Sequence, residues 1–207
     1  MGLGKRFFAA TYDGFMKKAE QGGLSAMREE IVGKATGDVL EIGGGTGLNL
    51  AHYDENVTSL TLTEPDPSML RRLERKAAAG PIDALVLRAP AEDLPFEDGS
   101  FDTVVSTLVL CGVDDQPRAA REIRRVIRPG GRLVFVEHVR SADPAIARFQ
   151  DRMNWLNRIV VHCDCNRPTL DTISSAGFDI ETVRDWELPN SPKFVRAAIV
   201  GVAVPTH

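Results

Sequence analysis

The sequence predicts an α/β fold built on a doubly wound, mostly parallel sheet, and three observations predict it. Apolar clusters rich in β-branched residues alternate with helical patterns along most of the 207 residues. One such cluster runs straight into a turn with four glycines in five positions, Gly43-Gly44-Gly45-Thr46-Gly47, at the start of a helix, where unpaired N–H groups can meet a polar or anionic ligand. The composition, 43% hydrophobic and 26% charged, is that of an ordinary globular chain and excludes disorder, collagen-like repeats and a disulfide scaffold.

The elements follow in order. Residues 1–35 have a helical pattern punctuated at Gly14, Gly22 and Gly23, which predicts a helical lid over an α/β core spanning 36–207, all in one domain. Seven strands are predicted at 38–42, 59–63, 84–88, 103–106, 133–137, 178–184 and 194–202. Helices are predicted at 48–51, 67–78, 116–127 and 144–161, with Pro67, Pro117 and Pro144 in first turns, where proline leaves no N–H unpaired. Pro129-Gly130-Gly131 reads as the exit from the helix over 116–127. No helical pattern separates the last two strands, which are joined through Trp186, Pro189 and Pro192, so the final strand is predicted antiparallel. In the helix over 144–161, Ile146, Phe149, Met153, Leu156 and Val160 share a face expected to pack on the sheet, a pocket wall or membrane-surface contact being the alternative. Arg118, Arg121, Arg124, Arg125 and Arg128 read as solvated charge.

Charge and cysteine content narrow the partners. With 25 basic against 29 acidic side chains, a net charge of −4, nothing is available in excess to neutralise a phosphate backbone, so a small molecule rather than nucleic acid is the expected partner. Three cysteines are too few and too odd in number for an oxidised scaffold, which points to a reducing cytoplasm. Asp13 interrupts the N-terminal stretch before a signal-like apolar run develops, and the apolar run over 197–205 falls short of the roughly 20 residues that cross a bilayer, so no transmembrane segment is expected.

The spacing of the glycines selects among ligands. A dinucleotide fingerprint starting at Gly43 needs glycine at position 48, where Leu48 stands. The pattern is instead ExGxGxG over Glu41, Gly43, Gly45 and Gly47, and here the chain resembles the class I S-adenosylmethionine-dependent methyltransferases. Further matches are Glu64-Pro65-Asp66 about 20 residues on, 91–96 with 100–102, and 126–131 as the family's LxPGG turn. The resemblance implies a Rossmann-like sheet and S-adenosyl-L-methionine as cofactor. It implies that Glu41 and the glycines wrap the methionyl part and that Glu64, with Pro65 and Met69 beside it, holds the ribose. Ala91 and Glu92 would meet the adenine, Pro90 standing where many relatives carry Asp; Thr107 and Leu108 would offer carbonyls to the methionyl amino group, and Asn49 and Tyr12 would reach the carboxylate.

The segments 88–92, 106–111, 137–139 and 163–169 resemble the branch containing the alkyl-thiol methyltransferases and their bacterial relatives. That implies methylation of sulfur on a small lipophilic thiol, with Cys111, Cys163 and Arg167 lining the acceptor pocket. Oxygen or nitrogen methylation, or cofactor binding without catalysis, stay open as alternatives. Cys163 and Arg167 match the branch, but Pro168 replaces its acidic residue, which puts an Arg–carboxylate acceptor pocket in doubt. Eukaryotic members carry an N-terminal membrane anchor, and membrane attachment is not carried over to this chain. His138, ending the fifth predicted strand on the ligand-bearing edge, is the candidate base, with a structural histidine as the alternative. His162-Cys163-Asp164-Cys165 lacks the spacing of a structural zinc site, so no metal is expected. The oligomeric state is left open.

Overall fold

The computed structural model describes residues 3–206, with side chains from residue 11 onward; of the expected lid, residues 1 and 2 lie outside the described residues. The strands are β1 (Gly37–Ile42), β2 (Val57–Thr63), β3 (Ala84–Leu87), β4 (Phe101–Thr107), β5 (Ile127–His138), β6 (Phe178–Glu187) and β7 (Ala197–Pro205), forming one seven-stranded sheet in the order β3-β2-β1-β4-β5-β7-β6. β1 to β5 pair in parallel, and β7 runs antiparallel to both β5 and β6. β1 therefore sits between the two windings, and the crevice outside the carboxyl ends of β1 and β4 is the topological switch point where such sheets bind ligands.

The helices are α1 (Leu3–Ala19), α2 (Ser25–Val32), α3 (Pro67–Ala78), α4 (Gln116–Val126), α5 (Pro144–Val161) and α6 (Thr169–Ser175). The strand period of two divides β5 between the two faces of the sheet. Leu133 and Phe135 pack with Ala119, Ile123 and Val126 of α4 and Ile173 of α6, whereas Val134 and Val136 pack with Met16, Leu24, Met27 and Ile31 from the N-terminal helices. Each of the valine, leucine, isoleucine, methionine and phenylalanine side chains among them contributes about 1.5–3 kcal/mol when fully removed from water. α1 and α2 are separated by a kink at 20–24, where Gly23 has φ 131°. Aspartates start three helices: Asp66 Oδ1 accepts from the Ser68 and Met69 amides, Asp115 Oδ1 from Arg118, and Asp143 Oδ1 from Ala145 and Ile146, each just ahead of a first-turn proline.

Several expectations need correction. The stretch 48–51 forms only a single 3₁₀ turn, Asn49–Ala51. α4 ends at Val126, because Ile127 is already extended (φ −80°, ψ 131°) and pairs with Phe101. Pro129-Gly130-Gly131 is therefore a bulge inside β5 rather than a helix exit: the register jumps from Phe101↔Ile127 to Thr103↔Arg132. The last strand lies three residues later than expected; Lys193–Val195 is a 3₁₀ turn after Pro192, and β7 runs on to Pro205 because β6 and β5 flank it on both sides. The sequence pattern does not predict α6.

The apolar face of α5 does not pack on the sheet. Buried residues on α5 are Ala147 and Gln150, while Phe149, Trp155, Leu156, Ile159 and Val160 stay exposed. The Gln150 amide explains the orientation: it donates to the Val139 and Cys165 carbonyls and accepts from the Ser141 amide, so the polar side of α5 is turned inward. Nor are all the arginines merely solvated. Arg124 donates to the Gly177 and Thr206 carbonyls. Arg125 joins Glu122 and Asp98 to the Leu94 and Phe96 carbonyls, and Arg128 bridges Asp38 and Asp102.

Candidate active site at the carboxyl edge of the sheet

β1 delivers Glu41 and Ile42 into the glycine turn. Gly43 (φ 56°) and Gly45 (φ 58°) both occupy the left-handed region, where side chains are strained. They differ in surroundings. A Cβ on Gly43 would strike Val109 at 2.7 Å, whereas a Cβ on Gly45 would have nothing nearer than the Gly43 carbonyl at 3.9 Å, so the space beside Gly45 is open. The Glu64 carboxylate, at the end of β2, flanks that opening. Its Oε2 accepts from the Gly45 amide (2.9 Å) and its Oε1 from the Asp66 amide (2.8 Å). Burial raises the Glu64 pKa, against the pull of those two amides. Met69 is buried nearby on α3, while Pro65 is exposed and its carbonyl accepts from Arg88 Nε.

Glu41 is sealed beneath the turn. Tyr53 donates to its Oε2 at 2.6 Å, and burial lifts its pKa to about 7. Asn49 is also buried: its Oδ1 accepts from Arg28 (2.8 Å) and its Nδ2 donates to the Thr107 hydroxyl (3.1 Å). Arg28, which the sequence did not single out, is a buried cation on α2 paired with Glu20 at 3.0 Å. Its signal was a charge flanked by the apolar Met27 and Ile31 on the inward face. The Thr46 hydroxyl donates to Asp13 on α1 at 2.5 Å, tying the N-terminal helix to the glycine turn. Tyr12, one residue earlier, packs like Leu48 and Leu108 against the cluster of Met16, Leu24 and Val136, and burial pushes its phenol up to about 12.

Beyond Thr107, Leu108 takes a left-handed conformation (φ 58°), a strained geometry for a residue with a Cβ and one concentrated at functional sites. Glu137, fully buried on β5, holds this turn: its Oε1 accepts from the Ser106 hydroxyl (2.6 Å) and the Val109 amide (3.0 Å), and its Oε2 from the Cys111 amide (3.3 Å). Its pKa is raised by burial. The bracing role of Glu137 is not given by the motifs; a carboxylate inside an apolar strand is the cue that could have found it.

His138 ends β5 with its Nδ1 facing two thiols, Cys163 Sγ at 3.2 Å and Cys111 Sγ at 3.5 Å. Burial alone would lower the imidazole pKa, but Cys111 and Glu137 outweigh it and the net shift is upward. Nε2 is buried with no hydrogen bond of normal geometry, though the Val195 backbone is close enough to add to that upward shift. The structure thus brings His138, Cys111 and Cys163 together. It engages Arg167 differently: this guanidinium binds Asp164 Oδ2 at 2.5 Å and the Leu110 and Val113 carbonyls. A carboxylate partner for Arg167 exists after all, supplied by Asp164 rather than by position 168. Glu92 Oε1 accepts from the Asp114 and Asp115 amides, so it braces the loop before α4, and Ala91 is buried in the core cluster.

Comparison with known proteins accords with this geometry. A family model described as a methyltransferase domain matches residues 40–135. Human thiol S-methyltransferase TMT1A is 30% identical over 203 residues, covering 95% of this chain and 82% of that protein. Human thiol S-methyltransferase TMT1B is 41% identical over 110 residues, covering 51% of this chain and 43% of that protein. A solved SAM-dependent methyltransferase from Thermotoga maritima shares the fold with a TM-score of 0.70 at 20% identity, covering 97% of this chain and 98% of that one. The chain belongs to the class I S-adenosylmethionine-dependent methyltransferases. Within them it stands on the branch that resembles the thiol S-methyltransferases. Among the described residues, no helix is long and apolar enough to cross a membrane.

Proposed function

We propose that this chain methylates the sulfur of a small lipophilic thiol, using S-adenosyl-L-methionine bound in the open space beside Gly45 that Glu64 flanks. The observation that carries the cofactor site is the open space beside Gly45, flanked by a buried carboxylate with two oxygens and only one amide on each. A carboxylate has about four lone-pair sites, so Glu64 retains capacity for two ribose hydroxyls. The acceptor class rests on the likeness to the thiol S-methyltransferases along nearly the whole chain.

S-adenosyl-L-methionine supplies a methyl carbon on a positively charged sulfur, so a nucleophile displaces a neutral thioether and no acid is needed. What the protein must do is align the acceptor, exclude water and take up one proton. Holding both reactants at near-attack distance contributes several kcal/mol, up to about 7–11 in the best intramolecular cases. The amino acid portion would lie at the end bounded by Tyr12, Asn49, Thr107 and Leu108, and the adenine at the end bounded by the segment that carries Ala91 and Glu92, where Glu92 braces the Asp114 and Asp115 amides. His138, at the carboxyl end of β5, is the residue proposed to receive the thiol proton.

Calorimetry with the cofactor, followed by turnover on alkyl and aryl thiols read as S-adenosylhomocysteine release, tests this reading. Glu64→Ala is expected to weaken cofactor binding by about 1–3 kcal/mol. His138→Ala is expected to lower turnover while leaving cofactor affinity in place. Tight cofactor binding with no thiol methylated would leave a binding protein, or an enzyme for oxygen or nitrogen acceptors.

A further inference from the structure

We infer that Cys111, His138 and Cys163 form a binding site for one thiophilic divalent cation of the zinc class, with a fourth coordination position left open. The two sulfurs stand 3.5 and 3.2 Å from His138 Nδ1, and the three atoms lie within 4.8 Å of one another. Around a tetrahedral zinc, with bonds of about 2.3 Å to sulfur and about 2.0–2.1 Å to nitrogen, a sulfur–nitrogen edge measures about 3.5 Å. The trio already has nearly that spacing.

Cys111 and Cys163 interact with each other as well as with His138, so the three donor atoms form one compact group rather than separate pairs. Nδ1 has one lone pair or one proton, never both, so it serves one thiol well and the other poorly. If it carries the proton, Nε2 becomes an acceptor, and Nε2 is buried without a hydrogen bond of normal geometry. A cation on Nδ1 engages both sulfurs at once and leaves the proton on Nε2, the side that faces the Val195 backbone. Two thiolates also cancel the charge of a divalent ion, leaving a neutral cluster behind Val161, Phe194 and Val195. Sulfur and imidazole donors favour zinc over magnesium or calcium.

The ligands are held from behind, as metal ligands generally are. The Asp164 amide donates to the Cys111 carbonyl at 2.7 Å, fastening the two cysteine loops together. The Asn157 amide donates to the Cys163 carbonyl, Glu137 accepts from the Cys111 amide, and Thr169 donates to the His138 carbonyl. The run 162–165 did not disclose the site because only one of its residues takes part. With an ion in place His138 has no role as proton acceptor, so the metal-loaded protein and the proposed base are separate states, and metal binding itself is the proper readout.

The test is titration of the reduced, metal-free full chain with Co²⁺ under anaerobic conditions. One equivalent is expected to give thiolate-to-cobalt charge-transfer absorption and the intense visible bands of a four-coordinate ion, both removed by competing Zn²⁺. Cys111→Ser and Cys163→Ser are each expected to weaken binding at least tenfold, while Cys165→Ser, altering a buried cysteine outside the trio, keeps wild-type binding. Where Cys111→Ser fails to fold, Cys163→Ser and His138→Gln carry the comparison. Absence of the charge-transfer band at one equivalent, or equal binding by the wild type and a folded ligand variant, overturns the site.

Discussion

Burial lifts the Glu41 carboxyl to about 7 even though the Tyr53 hydroxyl donates to it, and the sign of the consequence follows from linkage. The unfolded chain titrates Glu41 near 4.3. The folded state therefore holds a proton that the unfolded state releases, and this contribution is full at low pH and lost as pH rises towards 7. Glu41→Gln removes the penalty while keeping an acceptor for Tyr53. At pH 8 the variant is expected to melt above the wild type, by a free-energy margin of at most about 4 kcal/mol, and the two should converge near pH 4. Thermal melts across that range check it, and a margin independent of pH would refute it. Glu64 shifts in the same direction but serves differently, since it must be ionised to accept from two hydroxyls. Cofactor affinity should accordingly fall on acidification through its raised pKa, and calorimetry with Glu64→Gln should lose most of that pH dependence.

The glycine turn separates two kinds of requirement within a single element. Gly43 is needed by the fold, since any Cβ there meets Val109; Gly45 has room for one on a left-handed backbone. Gly45→Ala should fold with a cost of about 1 kcal/mol or somewhat more from backbone strain and lose cofactor affinity disproportionately. Gly43→Ala should lower the melting temperature more than Gly45→Ala does. Equal stability losses with equal affinity losses would remove the distinction. This turn was legible in the sequence because its residues are contiguous and their spacing carries the geometry. The trio of Cys111, His138 and Cys163 was not, because three separate segments converge on it. The apolar pattern of α5 fixed a helix but not its orientation: Gln150, one polar residue with three backbone partners, decided which side faced inward. α6 escaped because seven residues rich in serine and threonine carry too little helical signal, and its order comes from packing Ile173 into the core.

Across the whole molecule, polar contacts link the N-terminal helices to the crevice in series. Asp13 takes the Thr46 hydroxyl, Glu20 pairs with Arg28, Arg28 donates to Asn49, and Asn49 donates to Thr107 at the end of β4. Sequence pattern supplied the helices other than α6, and the seven strands, since periodicity is local; it could not supply this chain of contacts, whose members are up to 58 residues apart. If the helices act as a lid, cofactor binding and helix order are linked. A ligand that binds only the folded protein stabilises it by about 2.7 kcal/mol at a hundredfold excess over its Kd, which for a chain of this size raises the melting temperature by roughly 5–10 °C. Hydrogen exchange can locate that gain. Amides of α1 beyond Asp13 and of α2 should exchange more slowly once S-adenosyl-L-methionine is added, together with those of the glycine turn. Asp13→Ala should reduce the protection of α1 while leaving that of β1 and β4 unchanged, because the strands are held by their own ladder. Protection confined to the glycine turn and the end of β2, with α1 and α2 exchanging as before, would mean that the helices are a fixed wall and not a lid.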